Sequence, residues 1–228
     1  MAAGRNLVKM AGIVLFVTLF SINSFAFDKD AQSGDDPYGY SSSYSDKTGI
    51  PQWGINILYG EKGFGGSSQY YFNAWENTDL FVGLSFSSVS DDREFTEYDL
   101  YGNSFTPDKV NRVFMVPFTL GLKHSLFRDE IDGSIRPTVS AGITPTMVLM
   151  NPYSKSYFAA LGYFTTSYAM GGYVGVGMDF NQNENLAYSF NISYHYLPVI
   201  GKEVMSLENR PIKNLGGLQF TIGVNLLK

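Results

Sequence analysis

One stretch, Gly217–Leu227, restricts the fold more than any other: it reads G-L-Q-F-T-I-G-V-N-L-L. Successive side chains of a strand point to opposite faces. Leu218, Phe220, Ile222, Val224 and Leu226 therefore share one face, and Gln219, Thr221, Gly223 and Asn225 the other. One face is wholly apolar. The other is small and polar, without the long charged side chains of a water-facing sheet. That division fits a strand with hydrocarbon on one side and a polar lumen on the other.

The same period recurs along the chain. Strand-like runs are expected at Gln52–Tyr59, Gln69–Trp75, Leu80–Val89, Val110–Leu126, Ser134–Met150, Tyr168–Phe180, Leu186–Leu197 and the closing stretch. The eight runs are separated by connections that alternate long and short, beginning with the Gly-rich G-E-K-G-F-G-G-S-S and including the long polar Ser90–Asp108. An even strand number with short periplasmic turns and longer extracellular loops is the pattern of bacterial outer-membrane barrels. The expected fold is all-β: an eight-stranded antiparallel up-and-down transmembrane barrel with both termini periplasmic. Trp53 and Tyr59 close the outward face of the first run, and Tyr188, Tyr194 and Tyr196 bracket Phe190 and Ile192 on the seventh. Rings around an aliphatic middle fit aromatic girdles at two lipid–water boundaries. Pro117 and Pro145 fall inside runs, where a closed sheet has no edge to hide a missing donor. Bulges are expected there.

Ahead of this domain, residues 1–26 read as a secretory signal peptide. Arg5 and Lys9 precede the apolar run Ala11–Phe20, and Ser24-Phe25-Ala26 supplies small residues for cleavage. Residues 27–50 carry Asp28, Asp30, Asp35, Asp36 and Asp46 without an apolar period and read as a mobile acidic segment. The barrel domain is expected over residues 51–228. The formal charge of −5 argues against nucleic acid as a partner, because phosphate contacts need clustered Lys and Arg. The absence of cysteine excludes disulfides and Cys-based metal sites.

The closing text G-G-L-Q-F-T-I-G-V-N-L-L-K, Gly216–Lys228, resembles the closing strand of the bacterial outer-membrane β-barrel domain family, the small barrels of the OmpA, OmpX and OmpW type. By strand order and loop alternation the resemblance covers residues 51–228. It implies an outer-membrane location, outer-membrane lipids as neighbours and the barrel-assembly machinery as a folding partner. Members commonly end in an aromatic residue; here the last aromatic is Phe220.

An eight-stranded interior is just filled by side chains or holds one small ligand, so an open pore is not expected. By phase Lys123, Arg136 and Asp179 all point inward, and Asp179 is expected to pair with Arg136 or Lys123, as a buried charge requires. Such a cluster is structural, with a gate as the alternative. His124 takes the outward phase and His195 the inward one, two positions after Ser193. Ser193 and His195 are the candidate pair for acyl-ester hydrolysis, which needs an acid to orient the imidazole. Outer-membrane lipid A deacylases, small barrels themselves, place the Ser after the His; here the order is reversed and no acid is identifiable. Asp91, Asp92, Glu94, Glu97 and Asp99 could hold a divalent cation or form a solvated acidic loop. No other metal, cofactor or phosphate motif is present. The expected function is non-enzymatic: structural support, or presentation of loops to an extracellular partner the sequence does not identify. The alternatives are a lipid-modifying hydrolase using His195 and a carrier of a small apolar solute.

Overall fold

The computed structural model describes residues 52–75, 77–127, 135–155, 162–183 and 186–227. The signal peptide, the acidic segment 27–50 and the charged turn 128–133 lie outside the described residues.

Among the described residues twelve strands form: β1 (Gln52–Gly60), β2 (Gly63–Trp75), β3 (Thr78–Val89), β4 (Glu97–Tyr98), β5 (Ser104–Phe105), β6 (Asn111–Ser125), β7 (Ile135–Pro152), β8 (Thr165–Asn183), β9 (Leu186–Tyr196), β10 (Val204–Leu207), β11 (Arg210–Ile212) and β12 (Gly217–Leu227). Eight of them close an antiparallel barrel in the order β1-β12-β9-β8-β7-β6-β3-β2. The other four form two small hairpins, β4-β5 and β10-β11, inside the long connections.

Alternation sets which face is outside. On β1, Ile55, Ile57 and Tyr59 are 59–67% exposed, while Gly54, Asn56 and Leu58 between them are buried. On β12, Ile222 is 63% exposed and Asn225 only 1%. Phe190, Val174 and Val176 likewise face out, and Ser140, Thr144, Ser167 and Ser193 face in. Water would penalise an apolar exterior of this extent. Hydrocarbon does not.

The pairing registers fix the barrel's geometry. Starting at Gln52, successive partners run Tyr71, Phe81, Gly121, Gly142, Tyr173, His195 and Gly217. Across the closing seam, however, Gln52 pairs with Leu227. The row returns ten residues displaced (227 − 217), which is the shear of the barrel. With about 3.3 Å per residue and about 4.7 Å between strands, eight strands sheared by ten tilt by about 41°. That agrees with the tilt range of such barrels. The same geometry gives a backbone radius of about 8 Å, so inward side chains meet across the axis.

Two expectations need correction. The first connection is not a long Gly-rich loop: β2 begins at Gly63, and only Glu61 and Lys62 separate it from β1. The Gly-Ser run lowers intrinsic strand propensity, which is why it reads as loop. Its small residues are what the interior accepts: Ser67 and Gly65 face a wall where a Cβ on Gly65 would overlap Ser87. Nor do Pro117 and Pro145 make bulges. The β3–β6 ladder breaks opposite Pro117, between Leu84↔Phe118 and Ser87↔Met115, and resumes in the same register. The β6–β7 ladder breaks opposite Pro145, between Pro117↔Thr146 and Leu120↔Ile143, again without a shift. The missing donors open the ladder for two pairs instead of inserting a residue.

Candidate functional site

The lumen is built in three tiers. At the end where β1 begins and β12 finishes sits an ion pair: Lys123 Nζ on β6 lies 2.5 Å from Asp179 Oδ2 on β8. Lys123 also lies 5.1 Å above the Tyr71 ring. Arg136 stands opposite Asp179 in the β7–β8 ladder. Both ion-pair members are mostly buried, so each supplies the charge that makes the other tolerable in the interior.

The middle tier is aromatic. Tyr71 and Phe81 are 5.3 Å apart, Phe81 and Tyr173 6.5 Å, and Tyr173 stacks on His195 at 5.0 Å and 17°. These residues belong to the single cross-strand row traced above. Gly121 and Gly142 occupy that row where the rings need room. A Cβ on Gly121 would come within 2.7 Å of Phe81 and of the Tyr173 hydroxyl. His195 Nε2 and Ser193 Oγ are 3.0 Å apart. Among the described residues no carboxylate bonds the imidazole. Asp179 sits opposite Ser189, six positions along β9 from His195, or roughly 20 Å. Glu61 Oε2 instead accepts the Leu218 amide at 3.1 Å. His124 is outward, its Nδ1 bonded to Thr78 Oγ1 at 2.8 Å. The lumenal cavity threading these tiers measures about 90 Å³. That accommodates a few waters and falls well short of pockets that take drug-sized ligands.

The third tier closes the end with the long connections. Val89, Val113, Met115, Val148, Met150, Ala169 and Leu197 pack with Val204, Ile212 and Leu215 of the last connection. The β10-β11 hairpin, turning at Asn209 with φ of 56°, lies over the barrel mouth as a cap. Backbone bonds tie β10 to the start of β6: Val110 N to Ser206 O at 2.8 Å and Glu208 N to Asp108 O at 2.9 Å. Glu94 is the side-chain anchor. It accepts Ser206 Oγ and Lys109 Nζ, each at 2.5 Å, and the Asp91 amide at 3.1 Å. Burial works to raise its pKa, but the bonds from Lys109, Ser206 and the backbone outweigh it and hold the carboxyl below its usual range. The Arg93 guanidinium, bonded to both Asp91 oxygens, holds the Asp91 carboxyl low as well. Asp92 pairs with Lys62. Asp91, Asp92 and Glu94 are thus engaged by this chain's own cations, and no group of three or more metal-ligating acids and histidines forms among the described residues.

Beyond the anchor, β4-β5 projects as a hairpin. Asp99 fixes its tip, accepting the amides of Tyr101 and Asn103, both at 2.8 Å, and Asn103 Nδ2 at 2.9 Å. Those bonds hold the Asp99 carboxyl below its usual range. Tyr98, Leu100 and Tyr101 at the tip are at least 73% exposed. Sequence reasoning did not single out the aromatic row, the Glu94–Ser206 anchor or this tip. Phe81 and Tyr173 share a phase with small lumenal residues, which is a readable signal. The anchor joins positions more than a hundred residues apart and has none.

Comparison with known proteins agrees with this architecture. Crystal structures of Neisserial surface protein A and of a major outer membrane protein from Thermus thermophilus each match with a TM-score of 0.52 at 11% identity. Each covers 78% of this chain, and 95% and 99% of the other. The fold is that of the small eight-stranded outer-membrane barrels. A Rickettsia bellii protein, provisionally named an outer membrane protein, is 25% identical over 218 residues, 83% of this chain and 84% of that one. No protein-family model matches. Taken with the apolar exterior, these likenesses make the chain an outer-membrane barrel protein.

Proposed function

We propose that the protein is a non-enzymatic outer-membrane barrel that presents its long-connection end to an extracellular partner, with both termini periplasmic. The exposed tip of the β4-β5 hairpin carries this reading. Tyr98, Leu100 and Tyr101 project into solvent on a turn already fixed by Asp99. Ordering costs are thereby met before any partner arrives, and aromatic side chains are the common anchors of protein interfaces. The closed lumen supports the same reading. The apolar tier and the aromatic row leave a cavity of only about 90 Å³, and among the described residues no carboxylate bonds the imidazole of the Ser193–His195 pair beneath the cap. The test is a Tyr98→Ser, Leu100→Ser, Tyr101→Ser variant displayed on cells. Surface binding to whatever extracellular material the parent retains should fall at least tenfold while the heat-modifiable folded band persists. Equal binding by the variant and the parent would remove the presenting role.

A further inference from the structure

We infer that the extracellular partner of the β4-β5 hairpin presents a basic segment, whose Lys or Arg side chains take the exposed rings of the hairpin and the Glu97 carboxylate. The inference rests on the presenting role proposed above and deepens it by naming the chemistry of the partner.

The hairpin is unbalanced in charge. Residues 95–108 hold Glu97, Asp99 and Asp108 and no Lys or Arg. All three acids are exposed, and none makes an ion pair among the described residues. The cations that flank the hairpin in the chain are already committed. Arg93 Nη2 lies 2.6 Å from Asp91 Oδ2, and Lys109 Nζ lies 2.5 Å from Glu94 Oε2. Asp99 receives neutral donors, the amides of Tyr101 and Asn103 and the Asn103 side chain, so its charge is not cancelled.

Rings stand beside these acids. Glu97 pairs with Phe105 across the two strands, which sets a carboxylate and a ring side by side on one face. A Lys or Arg of the partner that lays its methylene stem along Phe105, itself 44% exposed, brings its charged head to Glu97. The exposed Tyr98 and Tyr101 rings offer a further cation their π faces. Exposed ion pairs are individually weak. The rings therefore supply contact area, and the acids supply selectivity and speed of encounter. The same charge argues against other occupants. Anionic lipid, sulfated glycans and acidic protein segments are all repelled by it. Sinking the hairpin into a bilayer would strip water from its carboxylates, which is costly.

The test holds the full mature chain in phosphatidylcholine nanodiscs and reads its binding to an array of short synthetic peptides. The peptides have matched apolar content and basic, neutral or acidic net charge. The parent should bind the basic set severalfold above the other two, and high salt should remove the excess. Glu97→Gln with Asp108→Asn leaves every ring in place and should erase the excess. Glu203→Gln, at an exposed acid of the last connection, should leave it. Tyr98→Ser with Leu100→Ser and Tyr101→Ser should lower binding of the basic set as well. No excess for the basic set, or an equal excess in the Glu97→Gln, Asp108→Asn variant, would overturn the basic partner. So would binding to peptide-free phosphatidylglycerol vesicles that the triple Ser variant loses. These results leave the presenting role standing. That role falls with equal binding of parent and triple variant in the cell-display test, which separates the two failures. A heat-modifiability gel on each variant reports folding.

Discussion

The ion pair between Lys123 and Asp179 shows what the interior demands of a single residue. Both side chains are mostly out of solvent, and each is tolerated because the other is there. Lys123→Met should therefore destabilise the barrel by about 3–5 kcal/mol, by stranding Asp179. Lys123→Met with Asp179→Leu should recover most of that. Urea unfolding in lipid vesicles, followed by tryptophan fluorescence, measures both. Equal losses in the single and double variants would contradict the pairing. Gly121 is the converse case, where absence of a side chain is the requirement. Gly121→Val would push into Phe81 and Tyr173 and should cost about 1–3 kcal/mol in the same assay. The inward phase of Lys123 and Asp179 was legible from alternation alone. That Gly121 faces two rings was not, because cross-strand neighbours depend on register, and register on the shear of the whole ring.

At the scale of elements, the cap is the part most open to perturbation. Its anchor, Glu94, has a carboxyl pKa held below the ordinary value by Lys109, Ser206 and the backbone against the opposing effect of burial. A depressed folded pKa means that the stabilisation is complete above the unfolded value, roughly 4.3. It is lost as pH falls through the lower folded value. Asp91, lowered chiefly by Arg93, acts in the same direction. The β10-β11 hairpin should therefore stay protected from amide exchange at pH 5–8 and open under strong acid. Glu94→Gln should weaken the cap by about 1–3 kcal/mol and flatten that acid dependence. Protection that is insensitive to both acid and the substitution would contradict the anchor. Strand existence was readable here because a lipid–lumen boundary enforces strict alternation. Strand ends were less so: β2 starts six residues before its expected Gln69, since Gly and Ser serve a crowded lumenal wall as well as they serve a turn. The prolines misled for a related reason. A closed ladder with good register on both sides tolerates two open pairs more readily than a register slip, which would turn every side chain beyond it to the wrong face.

For the whole molecule, eight strands sheared by ten leave an axis crossed by an ion pair, a row of rings and an apolar seal, with a cavity of only about 90 Å³ among them. Planar bilayers carrying the purified protein should show no stepwise conductance at neutral pH. A steady ohmic step would contradict the closed lumen. The barrel's place in the membrane depends on which side of the sheet meets hydrocarbon. The chain has no cysteine, so single-cysteine variants report one position each. Bimane attached at Ile57, Val176 or Ile222, and at lumenal Ser189, in vesicles containing brominated lipid, measures contact with acyl chains directly. Strong quenching at the first three positions and little at Ser189 is the predicted result. Quenching at Ser189 with none at Ile57, Val176 and Ile222 would contradict the claim that lipid surrounds this barrel.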